Sequence, residues 1–257
     1  MTRVTRSLPV LAPGPTEAPF VIKGYDEVVE HDTVWDEHSH PFHELLWNER
    51  GASTAVVGAR VWTITPVWGL WMPAGTLHSG SAVAGTWFRA SFFGFPTTSS
   101  ISGTPVAVEI TPLLRLLLER LGDPGLPGHS RAATEALVLD VLAPSPRELL
   151  VRMPTSALLR PIAEVVREDP GDPRTLADWA SALGVSPRTV TRAFNAETGT
   201  SFARWVAAVR AQRAVALLGQ GWDVEAVAEH VGYRSASAFG AAFRRTTGLT
   251  PGTFRAR

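Results

Sequence analysis

Cysteine is absent from this 257-residue chain, lysine occurs once (Lys23) and tyrosine only twice. Without cysteine there is no disulfide, no thiol nucleophile and no thiolate metal ligand, an absence that fits a reducing compartment. No run of about 18 apolar residues occurs, which excludes a membrane-spanning helix. The N-terminus has a short, proline-interrupted apolar run in place of the hydrophobic stretch of a signal peptide, so a cytoplasmic location is expected. Net charge is also lacking, with 24 basic and 24 acidic residues, but the balance is uneven along the chain. Residues 1–154 hold 11 Lys and Arg against 15 Asp and Glu, whereas residues 155–257 hold 13 Arg against 9 acids. A basic second half is the electrostatic footprint of a nucleic-acid-binding module joined to something else.

What is present is first of all a repeat. Residues 177–199 and 225–248 follow one plan: Ala180 answers Ala228, Gly184 answers Gly232, Ser186 answers Ser235, Phe194 answers Phe243 and Gly199 answers Gly248. Each copy reads as an apolar-periodic helix, a turn with glycine, a serine placed to cap, and a second helix, which is the pattern of a helix-turn-helix. In the first copy, Val190 and Phe194 are four apart and should face inward. Arg188, Thr191 and Arg192 then share the opposite face, with Thr189 beside them. Arginine can bond bidentately to guanine, and threonine can touch a thymine methyl or exchange a hydrogen bond. In the second copy Phe239 and Phe243 form the inward stripe, and the outward positions are mostly Ala, Ser and Gly. Arg234, Ser235 and Ser237 at its start, and Arg244 and Arg245 at its end, are the candidate DNA contacts, with the arginines suited to phosphates. The first copy is therefore expected to discriminate sequence and the second mainly to position the module.

Residues 156–257 resemble the DNA-binding domain of the AraC/XylS family of bacterial transcription regulators. The resemblance rests most on Gly232-Tyr233, Ser235, Ser237, Phe239, Phe243-Arg244-Arg245, Gly248, Thr250-Pro251 and Arg255. It implies seven helices, with a long central one holding two recognition helices in successive major-groove turns. It also implies base contacts at Arg188, Thr191 and Arg192, and at Ala236, Ser237 and Ala241, where this chain has small residues.

The first half reads differently. Residues 1–19 hold four prolines and a glycine and are expected to be a disordered arm. From residue 20 to about 95, short runs rich in Val, Trp, Thr and Ile are broken by Gly and Pro, as at 53–57, 60–64, 68–72 and 86–93, which suggests a small barrel or sandwich. Residues 111–121 predict a helix capped by Thr111 with Pro112 at its first position, and 132–142 predict a second. The fold expected is thus α+β in two domains: a small β-barrel with packing helices over 20–142, a linker over 143–155, and an all-α tandem helix-turn-helix domain over 156–257.

One constellation in the first half carries chemistry. His38 and His40 are two apart and share one side of a strand, Glu44 has the same parity, and His78 follows a separate strand. Three imidazoles and a carboxylate converging in a barrel suit one divalent transition metal. Equally, the four can line a metal-free effector pocket. The pattern resembles the cupin family, whose two motifs run HxHxxxE and PxGxxH. Here those are His38, His40, Glu44 and then Pro73, Gly75, His78, which the resemblance makes metal-ligand positions. The chain departs from the cupin pattern at Asp32, Val67 and Ala82. His31 and His43 are expected to be surface or structural. Six of nine tryptophans fall between Trp35 and Trp87 and are expected mostly in the core, with one or two free to line an effector pocket.

These features predict a sequence-specific transcription regulator that is not an enzyme, with promoter DNA as partner, a small molecule or metal as effector, a second copy of the chain as a candidate partner, and RNA polymerase if it activates. The rival readings are a metal-dependent cupin enzyme fused to a DNA-binding module, a metal sensor, and a ligand-free dimerisation scaffold.

Overall fold

The computed structural model describes residues 3–15 and 20–255. The chain divides into two compact units, one of residues 1–57 and 63–148, the other of 58–62 and 149–257.

The first unit holds strands β1 (Arg3–Arg6), β2 (Ile22–Val28), β3 (Asp32–His38), β4 (His43–Arg50), β5 (Ser53–Val57), β6 (Arg60–Ile64, whose first residues belong to the second unit), β7 (Trp68–Met72), β8 (His78–Ala82), β9 (Trp87–Phe93) and β10 (Val106–Glu109), then helices α1 (Pro112–Leu121) and α2 (Gly128–Val141). One sheet runs β1-β3-β8-β5-β6 and the other β10-β7-β4-β9-β2. Strand alternation assigns the two faces of the second sheet different work. Leu45, Trp47, Trp71 and Phe93 point to α1 and α2 and form a core with Leu114, Leu118 and Val138. Glu44 and Leu46 on β4, with Phe88, Ala90 and Phe92 on β9, point the other way and line a cavity. Helix α1 starts where expected: Thr111 Oγ1 accepts from the amide of Leu114, and Pro112 occupies the first turn.

One sequence expectation fails here. The expected disordered arm is ordered over residues 3–15: β1 pairs in parallel with β3, Arg6 forms a two-pronged ion pair with Glu27, and Ser7 bonds Asp36. The prolines that suggested disorder lie after this strand; only residues 16–19 of that stretch, with the first two residues, fall outside the described part. The boundary between the two units, after residue 148, falls inside the expected linker of 143–155, and the segment is held in place. Ser145 donates its amide to the Ala107 carbonyl, and strand β11 (Leu150–Arg152) buries Leu149 and Val151 while pairing antiparallel with residues 60–62.

The second unit continues with α3 (Arg160–Glu168), α4 (Leu176–Ala182), α5 (Pro187–Thr198), α6 (Phe202–Gly219), α7 (Val224–His230), α8 (Ala236–Thr247) and a 3-10 turn (Pro251–Phe254). The seven helices implied by the resemblance are thus six α-helices and this turn. The repeat is visible as geometry: α4 with α5 and α7 with α8 are the two helix-turn-helix copies. Ser186 and Ser235 cap α5 and α8 through the amides of Thr189 and Ala238, and both helices end on a left-handed glycine, Gly199 and Gly248. Ser186→Ala should therefore lower stability by about 1 kcal/mol, read in chemical denaturation; no change would mean that the α5 cap is dispensable.

Candidate effector site and DNA interface

The cavity of the first unit, about 320 Å³, lies between its two sheets. One end is polar. His38 on β3, His40 in the following turn and His78 on β8 each offer a ring nitrogen, and these lie within 4.8 Å of one another. Glu44 Oε2 is 3.6 Å from His78 Nε2 and 3.8 Å from His40 Nε2, too far for hydrogen bonds, and it has no hydrogen-bond partner. The second nitrogens of two rings are already used: His38 Nδ1 lies 2.7 Å from the Asp36 carbonyl and His78 Nδ1 lies 2.9 Å from the Thr76 carbonyl. Carbonyls fix Nδ1 as the donor, so Nε2 of each ring is left as an acceptor or ligand. His40 is set by stacking, its ring 5.2 Å from that of Phe42 and nearly parallel to it.

Burial sets the charges. It pushes Glu44 up to about 8, so the metal-free cavity holds a neutral carboxylic acid at pH 7. Burial, reinforced by the neighbouring imidazoles, pushes His40 down to about 4; burial does the same to His78. Glu44, His40 and His78 are therefore neutral at pH 7, and their donor atoms are close-set. The donors fit a metal. A tetrahedral site with bonds near 2.1 Å sets its donors about 3.4 Å apart, close to the Glu44 separations, and an unpartnered carboxylate oxygen lies beside the His40 and His78 imidazoles.

The other end of the cavity is apolar: Trp35, Leu46, Ala55, Ile64, Phe88 and Phe92 line it. Trp35 stacks on Phe88 with ring centroids 5.4 Å apart. Trp35 is the tryptophan that reaches the cavity among its lining residues, whereas Trp47 and Trp71 belong to the core on the far side of the sheet. Arg6 and Leu8 also line it, and reading the N-terminal segment as disordered hid both. His43 faces the helices, is buried, and accepts the Ala74 amide at Nδ1 beside Trp71, a structural role as expected.

In the second unit, Val190 and Phe194 are fully buried, as are Phe239 and Phe243 apart from 1–2%. The opposite face of α5 is exposed and carries Arg188, Thr191 and Arg192. Asn195 lies on it too, exposed, one turn beyond Thr191 and Arg192, and the sequence reading passed over it. Its signal is spacing: 188, 191, 192 and 195 repeat at i, i+3, i+4 and i+7, the spacing with which a homeodomain helix reads the major groove. The Thr191 hydroxyl donates to the Pro187 carbonyl at 2.9 Å, which leaves its methyl and oxygen lone pairs outward. Thr189 and Ser235 are both engaged in capping turns, Thr189 through Ser186. Arg234, Ser237, Arg244 and Arg245 are exposed around α8, whose intervening surface is Ala236, Gly240 and Ala241.

Comparison with known proteins adds to this geometry. Residues 27–138 match the family described as an AraC-like ligand binding domain, and residues 179–257 match a helix-turn-helix domain family. The regulator NimR of Escherichia coli K12 is 29% identical over 225 residues, covering 86% of this chain and 82% of that one. RipA of Corynebacterium glutamicum is 40% identical over 102 residues, 40% of this chain and 31% of its own length. Both are HTH-type transcriptional regulators. Among solved structures, ToxT of Vibrio cholerae O395 aligns over 91% of this chain and 96% of its own at 11% identity and a TM-score of 0.37. No helix among the described residues is long and apolar enough to cross a membrane.

Proposed function

We propose that the chain is a transcription regulator of the AraC type, on its matches to an AraC-like ligand binding domain and a helix-turn-helix domain, and that its DNA affinity is set by an effector held at His38, His40, Glu44 and His78, with a divalent transition metal as part of the bound state. The observation that carries this is the cluster of three carbonyl-fixed or stacked imidazoles, two of which, His40 and His78, flank one unpartnered buried carboxylate oxygen. When bound, the metal would supply a Lewis-acidic attachment point for an oxygen or nitrogen donor of a small molecule. The apolar wall of Trp35, Phe88 and Phe92 suits the remainder of a flat or apolar ligand. Binding rather than turnover is the role proposed, because a regulator needs only that effector and DNA each bind its two states unequally.

On the DNA side, we assign base reading to Arg188, Thr191 and Arg192, with Asn195 as an adenine-suited amide, and phosphate contacts to Arg234, Arg244 and Arg245. Thr189, Ser235 and Ser237 set and flank the helix starts. The partner is promoter DNA, with RNA polymerase added where the operator position makes the protein an activator. A second copy of the chain is a further proposed partner, since Leu113 and Leu116 of α1 and Leu137 of α2 remain exposed.

The test is operator affinity, measured on duplexes that the full chain selects from a randomised library, with and without added Zn²⁺, Mn²⁺, Fe²⁺ or Ni²⁺. At least one metal should change affinity about fivefold or more, the lower range of allosteric coupling, and His38→Ala/His78→Ala, which leaves only two of the four donors, should abolish the response. Equal affinity under all conditions would remove the metal from the signal and leave the cavity to an organic effector alone.

A further inference from the structure

Arg210 lies midway along α6 and is used by neither site described above. Its Nε donates to the Pro170 carbonyl at 2.7 Å and its Nη2 to the Asp172 carbonyl at 3.4 Å. Its guanidinium carbon sits 5.3 Å from the centre of the Tyr233 ring. Residues 170–172 form the turn that leads into the first helix-turn-helix copy, and Tyr233 belongs to the turn inside the second. One side chain from the central helix therefore grips both copies.

The surroundings are built to match. Gly232 has φ +79°, and a Cβ there would fall 2.9 Å from Gly171 Cα and 2.9 Å from Arg210 Nη2. The two turns thus touch backbone to backbone, with the guanidinium inserted beside them. Each end of the contact runs into a core. The Asp172 carboxylate is held by Arg174, whose guanidinium stacks 3.7 Å from the ring centre of Trp179, a buried residue of α4. Tyr233 packs 5.6 Å from Phe239, a buried residue of α8. The path Trp179, Arg174, Asp172, Arg210, Tyr233, Phe239 connects the interior of one copy to the interior of the other.

We propose that Arg210 is a positioning residue that fixes the spacing and relative angle at which the two recognition helices engage DNA. A planar guanidinium is needed because it must donate in its plane to two carbonyls while its face covers a ring, and lysine cannot do both. Neither copy contacts DNA through Arg210. Its effect is on which separation of two half-sites is accepted. This matters because moving one half-site by a single base pair shifts it about 3.4 Å along the axis and about 35° around it. A rigid junction penalises such a shift, whereas a loose one absorbs it.

The experiment uses the full chain and a duplex that the wild type selects from a randomised library. Two further duplexes insert or delete one base pair between the half-sites, and a fourth scrambles the second half-site. Affinities are read by fluorescence anisotropy at one salt concentration. The wild type should lose about tenfold or more on either spacing change, comparable to a mismatched base pair. Arg210→Met and Arg210→Lys should bind the scrambled-half-site duplex as the wild type does, lose affinity for the native spacing, and show a spacing penalty reduced to within about threefold. Gly171→Ala, which disturbs the same contact from the other side, should flatten the preference too, and circular dichroism melting checks that each variant is folded. A full spacing penalty in folded Arg210 variants overturns the proposal and leaves α6 alone as the ruler. A wild type indifferent to spacing overturns it as well.

Discussion

Purified without chelator, the chain is expected to carry about one equivalent of a single divalent transition metal by plasma mass spectrometry, and the His38→Ala/His78→Ala variant none. The double replacement leaves only His40 and Glu44, one donor short of the three protein ligands that metal sites with an open position use. A second readout is protonic. In the metal-free protein Glu44 titrates at about 8, far above its ordinary 4.5, because its carboxylate would be buried. It must ionise to ligate, so loading at pH 7 should release close to one proton, and loading at pH 9 close to none. His40 and His78, pushed down to about 4, are already neutral and add nothing above pH 6. Calorimetric titration in two buffers of different ionisation enthalpy measures the proton count. No metal and no uptake in the wild type would retire the metal site. Uptake without proton release at pH 7 would mean that Glu44 is not a ligand.

The same groups give metal-free stability a shape. The folded state binds the Glu44 proton more tightly than the unfolded chain, so this contribution is complete below pH 4.5 and is lost as pH rises to about 8. The two histidines act oppositely: the folded state resists their protonation, so their contribution is complete above pH 6.5 and is lost as pH falls towards 4. Two groups outweigh one between 4.5 and 6.5, so the site on its own favours folding most near pH 6.5. The metal-loaded protein, with Glu44 held as carboxylate, should lose the decline between 6.5 and 8. Thermal melts of both forms at pH 6.5 and 8 check this. Parallel declines would count against a titrating Glu44.

The sequence made these groups legible because their signal is spacing. His38, His40 and Glu44 share strand parity, and the structure brings His78 beside them across the β3–β8 pairing of residues 38 and 78. The tandem helices were legible for the same reason, through serine caps and paired apolar positions. What stayed hidden depends on long-range contacts. Arg3–Arg6 reads as part of a proline-rich tail until Asp32–Trp35 supplies a parallel strand and Glu27 a partner. Residues 150–152 read as linker until 60–62 pairs with them. Trp35 could not be told from five other tryptophans because strand parity fixes which residues share a face, not which face meets the cavity. Arg210 gave no signal, since its partners are backbone carbonyls 38 and 40 positions away.

Arg192→Ala should relax sequence discrimination by about 1–3 kcal/mol, seen as a narrowed gap between the selected operator and variants altered at one base pair. Arg245→Ala should weaken binding to all duplexes alike and lower the slope of log affinity against log salt by about one. The two arginines carry the same charge and are both exposed, so what separates them is position. Arg192 lies on the α5 face with Arg188, Thr191 and Asn195, opposite the buried Val190 and Phe194, where side chains reach base edges if the helix enters the groove. Arg245 lies in the last turn of α8, past a surface of Ala236, Gly240 and Ala241 that has no side-chain donors. With the Ser237 hydroxyl as the exposed donor in its first half, α8 can approach DNA closely yet has little with which to tell one base pair from another, and its arginines are left to the phosphates. Asn195→Ala refines the test. Residue 195 stands about 10.5 Å along the helix from residue 188, or roughly three base-pair steps, so its loss should erase an adenine preference about three positions from the guanine read by Arg188. A uniform loss in Arg192→Ala, with altered base preference in Arg245→Ala, would reverse the assignment and make α8 the reading helix.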